Sequence, residues 1–263
     1  MSKSQVQEFF GVNADKYATS KVHAKGASLE RVVELVRPKP EWRALDVATA
    51  AGHTAFVFAP HVTHVIATDI TPEMLSVAQK VGEEKGIDNV SFQEADAENL
   101  PFDDASFDLV TCRIAPHHFS NIGRFLRESA RVLRTGGLLA LIDNVSPDHH
   151  TTNADAESLR QAADYYNQFE KLRDQSHGRC LSLDEWLFEL NQAGFQIVHH
   201  ELASKEMEFQ SWVDRFQITK ELTERLREML MVAPDVVTEF LRPQIDGEEI
   251  KFYLTEAIIV ARK

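Results

Sequence analysis

The chain has 263 residues, 43% of them apolar and 26% charged, with a formal net charge of −13. That length allows one large domain or a domain with a substantial cap, and the acidic balance excludes general affinity for a nucleic-acid backbone. Two distant cysteines outside any CxxC spacing, Cys112 and Cys180, with no leader-like opening and no apolar run long enough to span a bilayer, lead us to expect free thiols and a cytoplasmic location.

In chain order, Gln5–Phe10 and Ala14–Ala18 read as short helical pieces. Ala27–Val36 is a helix with Leu29, Val32, Val33 and Val36 inward, stopped by Pro38 and Pro40. A short apolar run, Ala44–Val47, reads as a buried strand. Small residues follow to Gly52, and helical spacing resumes at Ala55, Phe56 and Ala59. Strand, small-residue turn and helix open a nucleotide-binding βαβ unit, where backbone and ligand come close. A second strand, His64–Thr68, ends in Asp69, placed to accept from ribose hydroxyls.

Thr71-Pro72 starts a helix that buries Met74, Leu75, Ala78 and Val81 and ends at Gly86. A third strand, Val90–Ala95, ends in Asp96, and Phe107–Cys112 is a fourth. Asn121–Arg134 is an amphipathic helix, and Thr135-Gly136-Gly137 turns the chain into a fifth strand, Leu138–Asp143. Arg124, Arg127, Arg131 and Arg134 share that helix and read as a solvated face rather than an anion-binding patch. Carboxylates ending two successive strands, beside a turn without Lys or Arg, suit a ligand lacking phosphates.

Four segments carry a family resemblance: Leu45–Gly52; Ala67-Thr-Asp-Ile-Thr-Pro-Glu-Met-Leu75; Glu94-Ala-Asp-Ala-Glu-Asn-Leu-Pro-Phe-Asp-Asp-Ala-Ser-Phe-Asp-Leu-Val110; and Arg131-Val-Leu-Arg-Thr-Gly-Gly137. In this order and spacing they resemble the class I S-adenosylmethionine (SAM)-dependent methyltransferases, closest to the menaquinone/ubiquinone-biosynthesis-like (methyltransferase type 11) branch. The resemblance is firm over roughly Val22 to Asp143 and loose beyond. It implies SAM as cofactor and S-adenosylhomocysteine as its product. The cofactor would lie along the turn Asp46, Ala48, Thr49, Ala50 and Gly52. Asp69 would take the ribose hydroxyls, Ile70 would pack on adenine, Asp96 would accept from the adenine amino group and Ala97 would offer its backbone N–H; Met74 would be a cofactor contact or part of the core. Tyr17, Ser20 and His23 would lie near the methionine end, and Arg113 would pair with the cofactor carboxylate.

One departure stands out. The family turn is Gly-x-Gly-x-Gly, and here its positions hold Ala48, Ala50 and Gly52. Ala48 is common in the quinone branch, but Ala50 puts a Cβ where bare backbone usually meets the cofactor, and Ala resists positive φ. A displaced cofactor, weakened binding and loss of SAM are the readings this leaves.

Arg113-Ile-Ala-Pro-His-His-Phe119 follows the fourth strand, where the reaction centre of this fold lies. It lacks the Asn/Asp-Pro-Pro-Tyr/Phe of the nucleobase and glutamine methyltransferases. His117 or His118 is a candidate general base; the plainer alternative is that one of them caps the next helix.

Beyond Pro147 the pattern changes. Helices are expected at Thr152–Asp174, Ser182–Ala193, Phe209–Phe216, Lys220–Leu230 and Pro234–Leu241, and strands at Phe195–Leu202 and Ile250–Ala261. Tyr165, Tyr166 and Phe169 precede a polar loop, Arg173–Arg179. From these we expect an acceptor pocket with Arg173, His177 and Arg179 nearest the ligand or the cofactor carboxylate, against the alternative that the aromatics merely dock their helix. Eleven histidines invite a metal reading, but no HxH, HExxH or CxxC occurs, and adjacent pairs are poorly disposed to converge, so no metal site is expected. Hydrolase and NTPase motifs are absent as well.

The expected fold is α/β: a Rossmann-like doubly wound sheet of about seven strands, mostly parallel with an antiparallel edge strand, plus a helical cap. Residues 1–40 would form a helical segment over the cofactor, 41–146 the SAM-binding core, and 147–263 the cap helices and last two strands. The expected activity is methyl transfer from SAM to a small-molecule acceptor, with no nucleic-acid partner. The alternatives are a SAM-binding protein without methyl transfer and, disfavoured by the missing glycines, a nicotinamide-dependent oxidoreductase.

Overall fold

Short apolar runs rich in Val, Leu and Ala alternate with amphipathic helices through the first half of the chain, and each run becomes a strand. In a computed structural model, which describes Gln7, Phe10, Gly11 and residues 27–216 and 218–263, helix α1 (Ala27–Val36) leads into strand β1 (Arg43–Val47). Then come α2 (His53–Phe58), β2 (His64–Asp69), α3 (Pro72–Glu84), β3 (Val90–Glu94) and β4 (Phe107–Arg113). Helix α4 (Ile122–Val132) is followed at once by β5 (Leu133–Asn144). The rest comprises α5 (Ala156–Arg173), α6 (Leu183–Gln192), β6 (Gln196–Glu208), α7 (Phe209–Asp214), α8 (Lys220–Met231), α9 (Asp235–Leu241), β7 (Gln244–Asp246) and β8 (Glu249–Arg262).

The sheet has eight strands in the order β3-β2-β1-β4-β5-β8-β6, with the three-residue β7 pairing beside β8. The pairs β1–β2, β1–β4, β2–β3 and β4–β5 are parallel, and β7–β8 is antiparallel. β8 runs antiparallel to β5, because Gly136 and Gly137 bond Lys263 whereas Val145 bonds Thr255. The strand order reverses between β1 and β4. In an open α/β sheet that reversal leaves a crevice at the carboxyl ends of these strands, which is where ligands bind.

Two units are distinguished by their internal contacts: Met1–Asp143 with Leu187–Glu201 and Ile258–Lys263, and Asn144–Trp186 with Leu202–Ala257. The first unit buries Leu45, Ala67, Leu109, Val110 and Leu139 of the central strands with Phe125 and Leu126 of α4. The second buries an aromatic core of its own. Phe169 stacks on Trp212 with centroids 4.9 Å apart, and Phe252 meets Trp212 edge-on at 5.1 Å.

Several boundaries differ from the sequence reading, each for a local reason. The fourth helix stops at Val132 because Leu133 already pairs with Phe107, so Arg134 lies on a strand and binds Asp108 at 2.8 Å. α3 buries Val77 with Met74 and Ala78, whereas Leu75 and Val81 are half-buried. β6 continues to Glu208, six residues past the expected end, through a polar stretch with no apolar alternation. β7 escapes the sequence because three exposed residues carry no periodicity; the turn at Gly247, with φ of +59°, closes its hairpin.

Candidate functional site

The turn after β1 adopts the backbone of a glycine-rich loop without the glycines. Ala48, Ala50 and Gly52 have φ of +54°, +48° and +84°. The left-handed region is therefore occupied at all three alternate positions, although it costs an L-residue with a Cβ roughly 1–2 kcal/mol. The surrounding bonds over-determine the shape. Thr49 N–H donates to the Thr68 carbonyl at 2.8 Å, Gly52 N–H to the Thr49 carbonyl at 2.9 Å, and Ala50 N–H to Asp69 Oδ2 at 2.9 Å. A side chain at Gly52 would be strained, since φ is +84° and a Cβ there would sit 2.5 Å from the Phe56 ring. Ala50, the feature that raised the possibility of a lost cofactor, thus keeps the turn in its expected form.

Two carboxylates are buried beneath this turn. Asp46, in β1, accepts from Thr111 Oγ1 at 2.6 Å and Thr49 Oγ1 at 2.5 Å. Burial pushes its pKa up to about 6, against the opposing pull of those hydroxyls and the Arg113 charge. Its carboxylate braces the turn from inside. Asp69, at the end of β2, accepts from the backbone N–H of Ala50 and, through Oδ1, of Thr71 at 2.9 Å. Burial raises its pKa and these N–H bonds lower it, with burial the larger effect. The Thr71 hydroxyl and the Ile70 backbone N–H also lie close enough to lower its pKa. The Cys112 thiol is pushed well up by burial and by nearby Asp46, Asp143 and Asp69, which removes it as a nucleophile.

Met74 packs with Ala51 and Val77, against Ala50 and Phe10, in a small apolar cluster under the turn. Ile70 is half-buried, and its carbonyl accepts from Gln7 Nε2 at 2.6 Å. Asp96 and Ala97 are half-buried beyond β3, and Asp96 Oδ1 accepts from Glu98 N–H at 3.0 Å. The neighbouring Glu98 was missed by the sequence reading. Its buried carboxylate accepts from Ser120 N–H, Ser120 Oγ and Asn121 N–H, tying this loop to the start of α4. The other residues assigned near the methionine end, Tyr17, Ser20 and His23, lie outside the described residues. Gln7 and Phe10, which are described and reach the site, carry no sequence motif that would have singled them out.

Beyond β4, Arg113 Nε donates to Thr54 Oγ1 at 3.3 Å. Ile114 then takes φ of +52°, a strained state for a β-branched residue. That kink leads into a 3₁₀ turn, Pro116–His118. The two histidines diverge. His118 meets Phe10 edge-on at 5.0 Å, whereas His117 is buried and bound twice by Asp143. Asp143 Oδ2 accepts the His117 backbone N–H at 2.9 Å, and Oδ1 lies 2.6 Å from ring Nδ1. A proton on Nδ1 satisfies that contact and makes Nε2 the basic nitrogen. Neither histidine caps α4; Asn121 does so, its side chain accepting from Arg124 N–H. Asp143 was read only as a strand end, and nothing in the sequence marks its tie to His117.

The polar loop after α5 is engaged within the second unit. Arg173 Nη2 pairs with buried Glu170 at 2.8 Å, and its guanidinium lies 4.3 and 4.6 Å from the ring centroids of Trp212 and Phe216. His177 Nε2 lies 2.9 Å from Asn167 Oδ1. Arg179 is exposed and pairs with Glu185. Tyr166 and Phe169 are fully buried in the aromatic core, and Tyr165 donates to the Met229 carbonyl at 2.8 Å.

Comparison with known proteins bears on this geometry. Residues 45–141 match a family described as a methyltransferase domain. The chain is 38% identical to the uncharacterized methyltransferase YcgJ of Bacillus subtilis over 208 residues, 78% of each protein. It superposes on the YcgJ crystal structure with a TM-score of 0.81, covering 90% of this chain and 97% of the other at 33% identity. A Bacillus halodurans structure assigned as a methyltransferase gives 0.83, with 90% and 99% coverage and 35% identity. A ubiquinone/menaquinone biosynthesis C-methyltransferase of Zymomonas mobilis is 38% identical over 105 residues, 40% of this chain and 43% of that protein.

Proposed function

The chain belongs to the SAM-dependent methyltransferases, and from that premise we propose that it methylates a small-molecule acceptor, with His117 as the base that takes the acceptor's proton. The observation that carries the reading is the turn. Left-handed backbone at Ala48, Ala50 and Gly52, with Asp69 held on the Ala50 amide, keeps the form of the family's glycine turn although two of its glycines are absent. SAM fits these residues on their chemistry: Asp69 is a hydrogen-bond acceptor at the end of β2 beside the turn, and the turn offers no cation for a pyrophosphate.

Asp69 and the turn would hold the ribose and methionine portions, Ile70, Asp96 and Ala97 the adenine, and Arg113 the carboxylate. When bound, the sulfonium supplies an activated methyl group. The protein's own task is then alignment, exclusion of water and, for an acceptor that must lose a proton, removal of that proton. Asp143 holds the His117 backbone N–H through one oxygen and ring Nδ1 through the other, so the imidazole is already oriented when it takes up a proton. An acidic O–H, N–H or S–H, or a C–H made acidic by a neighbouring carbonyl, is the acceptor chemistry this arrangement suits. The strained Ile114 backbone delivers His117 to Asp143 and is the local cost of that placement.

The test is transfer of radiolabelled methyl from SAM to a panel of phenols, quinols, thiols and amines. Label on at least one class, falling at least ~100-fold in His117→Gln with S-adenosylhomocysteine affinity kept, is the expected result. Undiminished transfer in that variant would remove the base. Absence of label with every acceptor class, in a protein that binds SAM, would contradict the small-molecule reading.

A further inference from the structure

Three pairs of adjacent histidines occur in the chain, and they behave differently. In the first, His117 binds Asp143 while His118 turns to Phe10. In the third, His199 reaches Glu201. In the middle pair both rings address one carboxylate. His149 Nδ1 lies 2.7 Å from Asp184 Oδ2, and His150 Nε2 lies 2.9 Å from Asp184 Oδ1. The three ligand atoms fall within 4.8 Å of one another, the only such grouping of His, Cys, Asp and Glu found among the described residues.

The backbone beneath is fixed by a fourth residue. Asp148 is buried, and its carboxylate accepts from His150 N–H at 3.0 Å and from Asp184 N–H at 3.1 Å. Its own N–H donates to Thr151 Oγ1, and its carbonyl receives the amides of Thr151 and Thr152. One buried carboxylate thus sets the turn bearing the histidines against the first turn of α6, which bears Asp184.

We propose that His149, His150 and Asp184 form a binding site for a divalent first-row transition ion, with zinc the ion it takes. Two imidazoles and a carboxylate are the donor set such ions accept while keeping positions open for water. Metal–ligand bonds of roughly 2.0–2.2 Å put neighbouring donors about 3–3.5 Å apart. The present N···O separations of 2.7 and 2.9 Å need less than about 1 Å of spreading to reach that spacing. Asp148 supplies the outer contacts that hold such ligands in place. The site lies wholly within the second unit and does not rest on the methyltransferase reading. With His149 and Asp184 exposed at 63% and 46%, the ion stays partly hydrated and affinity is micromolar rather than nanomolar.

Calorimetric titration of the full-length, tag-free protein with zinc chloride at pH 7.5 tests this. One equivalent should bind with a micromolar Kd. His150→Gln and Asp184→Asn should each weaken binding at least tenfold, with the circular dichroism spectrum unchanged. His199→Gln, at the other exposed pair, should leave it as it was. Affinity should also fall on acidification to pH 5.5, because metal binding competes with protons for imidazole donors. No saturable binding below millimolar zinc, or binding indifferent to both triad substitutions, would overturn the site.

Discussion

At the scale of single residues, the site is built from positions whose local preference is overruled. Ala48 and Ala50 lie in a backbone region that costs each roughly 1–2 kcal/mol. Replacement by Gly removes that cost and adds about 0.4–1 kcal/mol of unfolded-state entropy. Ala48→Gly and Ala50→Gly should therefore each raise stability, by about 0.5 kcal/mol, in denaturant unfolding. Counting the entropy loss alone would give the opposite sign; a lower stability in both variants would show that the strain is absent. Asp46 yields a second prediction. Its folded pKa, pushed up to about 6 from an ordinary 3.8, means that its neutral form is the favoured one in the fold. The contribution is fully present below pH 3.8 and is lost as pH rises through about 6. At 1.36 kcal/mol per pH unit the interval is worth about 3 kcal/mol. The stability of the unliganded protein should thus fall between pH 4 and pH 7 by about that much more than in Asp46→Asn; parallel pH profiles would contradict the assignment. What the residues showed in sequence was the acid at each strand end. Their hydrogen-bond partners, such as Asp143 for His117, lie 26 positions away and leave no local trace.

Among the elements, the central strands β1, β4 and β5 of the sheet were legible because their mostly buried stretches read as apolar runs, whereas β3, at the sheet edge, has no fully buried residue. The later elements were less so. β6 runs on through Ser204, Lys205 and Glu206, held by cross-strand partners such as Glu256 for Lys205 and Tyr253 for Glu206. The helix α5 was legible in the sequence, yet its Tyr166 and Phe169 belong to a core whose other half, Trp212 and Phe252, comes from distant sequence. Arg173 closes the end of this helix with its charge buried against Glu170 and two rings. Arg173→Ala leaves the Glu170 carboxylate uncompensated, which for a buried pair costs about 3–5 kcal/mol. Arg179→Ala removes an exposed pair worth at most about 1 kcal/mol. Thermal unfolding of the two variants side by side should separate them clearly. Equal losses would mean that Arg173 is less embedded than its contacts imply.

For the whole molecule, the strand order β3-β2-β1-β4-β5 and the reversal at β1 and β4 place Asp69, the alanine turn and His117 at the same end of one sheet. A net charge of −13 makes a phosphate-rich partner unfavourable, in keeping with a cofactor that carries none. No helix among the described residues is long and apolar enough to cross a membrane. The central claim is that this end of the sheet is a SAM site assembled without the usual glycines. Calorimetric titration of the wild type and Asp69→Ala with S-adenosylhomocysteine and with NAD tests it most directly. Wild type should bind S-adenosylhomocysteine at one site and show no saturable binding of NAD. Hydrogen bonds to a charged acceptor are each worth about 1.5–3 kcal/mol, so Asp69→Ala should weaken that binding at least ~10-fold while remaining folded. Preference for NAD, or an affinity for S-adenosylhomocysteine unchanged by Asp69→Ala, would contradict it.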